Sequence, residues 1–243
     1  MKSKVIGKKE QDKIDALKFV SRFSLPPNSL GYCGRKSGPV ALKNCIIKGR
    51  CGKVEEELSR FIVLNPYLKT LSAITKLPPF DYKVVESYWL GNNQLNKAKA
   101  KHYSLLLENF IKQGVPKALV EELKLTPPKE FIPTHLFQIL HVGIGRVKNS
   151  ITYNLASINQ CMIRWGRVQK IETDKIVIKL NSLKETKKGY RITLLTEILT
   201  CGTELVPELK KGDVVAVHWG QIIKILTKEE VEKITFWTKK VLK

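Results

Sequence analysis

Long apolar runs are missing from this 243-residue chain. No stretch reaches the ~18 residues that a membrane-spanning helix needs, so no membrane partner is expected. The opening MKSKVIGKKEQDKID is charged and shows no apolar h-region, so no secretory signal is visible and a cytoplasmic protein is expected. Several catalytic signatures are absent as well: there is no Walker loop, no His-Glu-x-x-His and no Ser/His/Asp order. Gly143-Ile144-Gly145 is too short, and in the wrong context, for a phosphate loop. Acids are scarce, 22 Asp and Glu against 43 Lys and Arg. Those present fall in runs such as Glu55-Glu56-Glu57, which read as solvated helix faces rather than as an acid–base pair.

The five cysteines, Cys33, Cys45, Cys51, Cys161 and Cys201, are odd in number and widely spread. That pattern fits free thiols in a reducing compartment better than a secreted disulfide framework. Five residues separate Cys45 from Cys51 and no second pair matches them, so a zinc knuckle is not expected.

What is present in excess is positive charge, a formal +21. Such a surface attracts nucleic acid or an acidic protein. The excess is mostly lysine and is spread along the chain, without an RNA-binding aromatic motif.

Apolar spacing divides the chain in two. Ile14, Leu17, Val20 and Phe23 recur at helical intervals, and Pro26-Pro27 predicts a helix stop at Leu25. Pro26 to Pro39 reads as a loop displaying Cys33 between Gly31 and Gly34. Helices are predicted over 54–64, 67–76, 82–90 with Asp81 as cap, 98–113 and 117–123. After Asn159 the texture changes to about five short alternating strands. They include a hairpin turning at Glu172-Thr173-Asp174 and the β-branched run Val214 to Val217. Thr227 and Glu230 form a capping box for a final helix. The expected class is α+β: a helical domain over 1–130, a junction over 131–157, and an OB-like β-barrel with a C-terminal helix over 158–243.

Two stretches carry a family resemblance. GDVVAVHWGQIIKILTKEEVEKI (Gly212 to Ile234) resembles the C-terminal half of the HypC/HupF-type hydrogenase assembly chaperones, and Cys161-Met-Ile-Arg-Trp-Gly166 resembles their opening. Together they span about the last third of the chain. The resemblance implies an accessory protein without catalysis of its own. Its partner would belong to the hydrogenase assembly pathway or be the hydrogenase large subunit. The Cys161 thiolate would hold a transient Fe(CN)2CO-type iron fragment, with His218 as helper. The chain departs from that pattern in two ways: Cys161 is internal rather than near an N-terminus, and Trp165 stands where the family has proline. Farther upstream, PPNSLGYCG and VVESYWLGNNQL look like motifs of a prokaryotic family without an assigned activity.

The candidate metal ligands are therefore Cys161 and His218, with His141 and Cys33 as possible additions forming a mixed N/S set. Two other readings stand beside this one. A basic OB-type barrel could bind single-stranded nucleic acid, and Cys33 or Cys161 could be the nucleophile of an enzyme.

Overall fold

A computed structural model describes residues 7–147, 151–200 and 203–243. Cys201, the start of the polar N-terminal tail and positions 148–150 of the predicted junction lie outside the described residues. The helical part begins with α1 (Lys8–Ser29), α2 (Gly38–Lys48) and α3 (Val54–Ser59). It continues with α4 (Leu64–Thr75), α5 (Tyr82–Trp89), α6 (Lys101–Gln113) and α7 (Lys117–Leu125). A short α8 (His135–Phe137) widens into a π-helical turn over Gln138–Gly143, and α9 (Leu155–Cys161) follows. Five strands come next: β1 (Arg164–Ile171), β2 (Ile176–Thr186), β3 (Gly189–Leu199), β4 (Val214–His218) and β5 (Gln221–Ile225). The chain then enters α10 (Lys228–Val241).

Most local expectations hold. Asp81 accepts from Lys83 N and caps α5. Thr227 and Glu230 make both halves of the capping box on α10. The β1–β2 hairpin turns between Ile171 and Ile176.

Others need correction. The helix α1 does not stop at Leu25 but runs through both prolines to Ser29. Proline lacks an amide and so cannot bond the carbonyl four residues back. Here the two sit together near the helix end, where few further bonds are forfeited. Residues 38–48, left without an element by the sequence pattern, form α2, with Pro39 in its first turn, where a missing amide costs nothing. Pro66 likewise lies in the first turn of α4 rather than ending a helix.

The OB-like barrel is also corrected. The strands form an open antiparallel sheet in the order β3-β2-β1-β4-β5, so β3 and β5 are edges and do not pair with each other. Alternation along β4 explains its two faces: Ala216 joins the core shared with the helices, whereas Val215 and Val217 join a smaller cluster with Val168, Ile178 and Leu180. The larger core runs from Ala16 on α1 to Trp237 on α10. One bond set ties α1 to the sheet side: the Arg22 guanidinium donates to the carbonyls of Leu205 and Ile223.

The free-thiol reading of Cys45 and Cys51 is overturned, because a disulfide joins them. Gly49 (φ 66°) is a left-handed C-cap on α2 that turns the chain back, so the second cysteine meets the first.

Candidate metal centre

Three ligand-bearing side chains meet where α8, the end of α9 and the end of β4 converge. The ligand atoms of His135, Cys161 and His218 all lie within 4.8 Å of one another. All three residues are buried, at 5%, 8% and 1% exposure respectively.

Local structure places each of them. Cys161 is the last residue of α9. Its helix is fixed at one end by the Asn154–Ser157 capping box. Near the other end the Asn159 side-chain amide bonds both the Leu183 carbonyl (2.9 Å) and the Leu183 N–H (2.7 Å) on β2. His218 closes β4 and pairs with Gln221 across a two-residue turn. Both turn residues have positive φ, 50° at Trp219 and 71° at Gly220, the geometry of tight hairpins. A tryptophan in that region is strained. Its backbone N–H is held by the Gln160 carbonyl at 2.8 Å, and its ring lies 4.5 Å from that of Tyr32. The Gln160 bond clips the β4–β5 turn onto α9 and brings His218 to Cys161.

The prolines of α1 contribute as well. Pro27 has no N–H to give the Phe23 carbonyl, which is left available at the helix surface. The His218 Nδ1 sits 2.7 Å from that oxygen. A carbonyl only accepts, so Nδ1 carries the proton and Nε2 holds a lone pair. Among the described residues Nε2 has no hydrogen-bond partner, and the Cys161 carbonyl near this ring cannot donate to its lone pair. An imidazole whose far nitrogen donates to a backbone carbonyl is the arrangement that metal-ligating histidines use.

His135 begins α8, whose N-cap Thr134 accepts from Phe137 N. Its Nε2 is 2.9 Å from the Cys161 carbonyl and 3.9 Å from the Cys161 sulfur. Its Nδ1 is 3.0 Å from the Tyr88 hydroxyl, which also bonds the Gln138 side chain. Trp89 packs beside both imidazoles, its ring centre 4.5 Å from His135 and 5.8 Å from His218.

Burial controls the protonation. It pushes His135 down to about 4, against the pull of its bond to the Cys161 carbonyl. It drives His218 well below the usual histidine range, and the neighbouring His135 adds to the effect. Burial also raises the Cys161 thiol well above its ordinary value. Cys33 adds to this, while the Trp219 side chain works in the opposite direction. The metal-free cluster is thus a neutral thiol between two neutral imidazoles.

A cavity of about 80 Å³ lies against the cluster. Tyr32, Cys33, Tyr88, Trp89 and Trp219 are among the residues lining it, and among the described residues no Asp, Glu, Lys or Arg lines it. An ion bonded to sulfur at ~2.3 Å and to nitrogen at ~2.0 Å requires ligand atoms roughly 3.5 Å apart. To hold one, the cluster needs about 1 Å of contraction, and the His135 Nε2 must give up its proton and its bond to the Cys161 carbonyl.

The sequence-predicted pair, Cys161 and His218, is brought together. His141 is not part of the cluster. Its Nε2 bonds the Tyr103 hydroxyl at 2.8 Å and its ring stacks on Phe137 at 5.0 Å, so it faces the helical core. Cys33 lines the cavity wall but stands outside the three-residue group. The sequence reading missed His135. The one available signal was the Thr134-His135 start of a helical turn, a capping position that fixes where the first side chain points.

Comparison with known proteins gives one finding. A model described as "Family of unknown function (DUF6390)" matches residues 13–243. The match covers the part with unassigned prokaryotic motifs and continues through the C-terminal third. The comparisons give no support to a separate HypC-like region there. No curated protein and no solved structure matches. Among the described residues no helix is long and apolar enough to cross a membrane.

Proposed function

Because this chain belongs to the DUF6390 family, whose description assigns no activity, we propose a function from the site alone: a metal-binding accessory protein that holds one transition-metal ion between His135, Cys161 and His218. The observation that carries this reading is the His218 imidazole, buried with its Nε2 unpartnered beside the Cys161 sulfur and the second imidazole. Leaving a buried polar atom unpaired is costly, and an ion would supply the missing partner. One soft thiolate and two imidazoles suit zinc, copper or iron rather than magnesium or calcium. Binding would release the thiol proton, which burial otherwise retains.

The role in metal-centre assembly, with a nickel–iron hydrogenase as destination and an iron fragment as cargo, rests on the HypC-type resemblance of the C-terminal third. Burial of Cys161 weighs against the thiol as an unassisted enzyme nucleophile, because a protonated thiol is a poor one. The open sheet removes the barrel on which the nucleic-acid reading leaned, and leaves that reading with charge alone.

Metal analysis of protein purified anaerobically is the direct test. Wild type should retain about one transition-metal ion per chain, and Cys161→Ser none. Equal metal content in the two would overturn the site. Infrared bands in the cyanide and carbonyl region, present in wild type and lost in Cys161→Ser, are what the iron-fragment reading requires.

The proline link gives a second expected result. In Pro27→Ala the new N–H competes with His218 for the Phe23 carbonyl. Metal affinity should fall by about 10–100-fold, the usual cost of losing a partner behind a ligating histidine, measured by chelator competition. Unchanged affinity would show that this carbonyl does not orient the ring.

A further inference from the structure

The ligands and the cavity wall can be counted for charge. When the thiol of Cys161 ionises, the donor set is one thiolate and two neutral imidazoles, a total of one negative charge. His218 cannot add a positive charge without losing its lone pair, since Nδ1–H already faces the Phe23 carbonyl. His135 Nε2 faces the Cys161 carbonyl, which only accepts, so this ring can ligate through Nε2 only in its other tautomer, with the proton on Nδ1 toward the Tyr88 hydroxyl, which itself donates to Gln138; either tautomer is uncharged. Among the described residues the cavity beside them has no Asp, Glu, Lys or Arg in its lining, although the chain as a whole carries 43 Lys and Arg and 22 Asp and Glu. The site is therefore a low-dielectric enclosure in which net charge is strongly penalised.

A divalent ion bound by this set would leave an uncompensated positive charge, and among the described residues no carboxylate lines the cavity to neutralise it. A monovalent ion would leave none. Three donors also match the low coordination number that a soft d10 monovalent ion accepts, and thiolate is the ligand type that such an ion prefers. We infer that the His135–Cys161–His218 site is built for a monovalent soft metal ion, copper(I), held in a charge-neutral three-coordinate complex. This inference rests on the metal-site reading above and adds the ion's charge and class.

The aromatic wall fits the same inference. Tyr88, Trp89 and Trp219 line the cavity beside the cluster and offer no carboxylate or carbonyl-rich shell of the kind hard divalent ions require. Trp89 also presents a buried indole N–H that has no partner among the described residues, and the Trp219 side chain already points a hydrogen bond toward the Cys161 sulfur. Both indoles can donate toward a thiolate but cannot themselves ligate.

The experiment is a competition titration of the full metal-free chain, kept reduced and anaerobic. Copper(I) is supplied from a chromophoric copper(I) chelator, silver(I) serves as a redox-inert monovalent probe, and zinc(II) and cobalt(II) are the divalent competitors. Wild type should take up one copper(I) or one silver(I) per chain. Roughly 100 equivalents of zinc(II) should not displace it, and an ultraviolet thiolate-to-copper band should be present in wild type and absent in Cys161→Ser. X-ray absorption should find one sulfur and two nitrogen neighbours, and Cys33→Ala should still bind one ion.

Zinc(II) or cobalt(II) binding through Cys161 that copper(I) and silver(I) fail to displace would overturn the inference and leave the metal site standing. So would two sulfur neighbours with loss of binding in Cys33→Ala, because a second thiolate changes the charge count. Absence of any Cys161-dependent binding, by monovalent or divalent ions alike, would overturn the site itself. Cys161→Ser conserves volume; if it fails to fold, His218→Gln carries the same comparison, with the thiolate band weakened and at least a 10-fold loss of silver(I) affinity expected.

Discussion

Metal-free protein is expected to lose stability steeply as the pH falls from 7.5 to 5. The sign follows from the two buried imidazoles. In the unfolded chain a histidine titrates near 6.5. In the folded chain burial holds His135 at about 4 and His218 well below the ordinary range. Above about 6.5 neither state binds a proton at these positions, and the native contribution is complete. Below that, the unfolded chain takes up protons that the native cluster refuses, and the equilibrium shifts toward unfolding. At pH 5 His135 alone should cost about 2 kcal/mol, and by pH 4 about 3 kcal/mol. His218 acts in the same direction. Urea unfolding at a series of pH values measures the slope, and His135→Asn should flatten it. A wild-type unfolding free energy that stays level between pH 7.5 and 5 would show that the imidazoles are not held neutral by burial. With an ion bound, the dependence should steepen further, because protons then compete with the metal for the same nitrogens.

The second large effect is steric. Gly166 sits in the middle of β1, opposite Leu180 of β2 and Val215 of β4. A Cβ built there would lie 2.0 Å from the Lys179 carbonyl oxygen and 2.7 Å from the Leu180 Cα. Both obstacles are backbone of the paired strand, so no rotamer change relieves them. The strands must move apart, breaking ladder bonds on both sides of a central strand. Gly166→Ala should therefore destabilise the protein by about 3 kcal/mol or more. In a chain of this size that corresponds to a fall of roughly 6–12 °C in Tm. Gly52→Ala is the matched control, because nothing lies within 4 Å of its added carbon. Similar Tm values for the two variants would mean that the β1–β2 pairing is looser than the register indicates.

Why Gly166 matters was not visible in the sequence, where it was only a family-like position after Cys161. Other features were easier to read. The capping box at Thr227 and Glu230, the Asp81 cap and the hairpin at Glu172 to Asp174 are local chemistry, set by residues within a few positions of each other. The convergence of Cys161 and His218 was legible for a different reason: both end an element, and element ends are where side chains from separate parts of a chain can meet. His135 escaped because His141 was singled out instead, just ahead of Gly143 and twenty residues before Cys161. Only the π-helical widening over Gln138–Gly143, and the Tyr103 hydroxyl that captures His141, settle which imidazole faces the sulfur. Pro26-Pro27 misled in an instructive way. The rule that proline ends a helix was applied to the missing amides, but their consequence lay in the carbonyl left over, which His218 occupies. The Cys45–Cys51 disulfide depends on a left-handed turn at Gly49 that no apolar spacing predicts. Barrel closure, too, is a matter of whether β3 reaches β5, which strand count alone does not decide.

The three proposed ligand residues come from positions 135, 161 and 218, and the carbonyl that holds the last comes from position 23. None of these is near another until α1, α9 and the β4–β5 turn have docked. An ion at this centre cannot be captured by the nascent chain as its first two donors leave the ribosome. It must wait until translation has passed His218 and the turn at Trp219 and Gly220 has closed. If the proposed site holds an ion, loading would be a late, post-translational event, and the rate at which the ion departs should match the rate at which that turn lets go of the helix beside it.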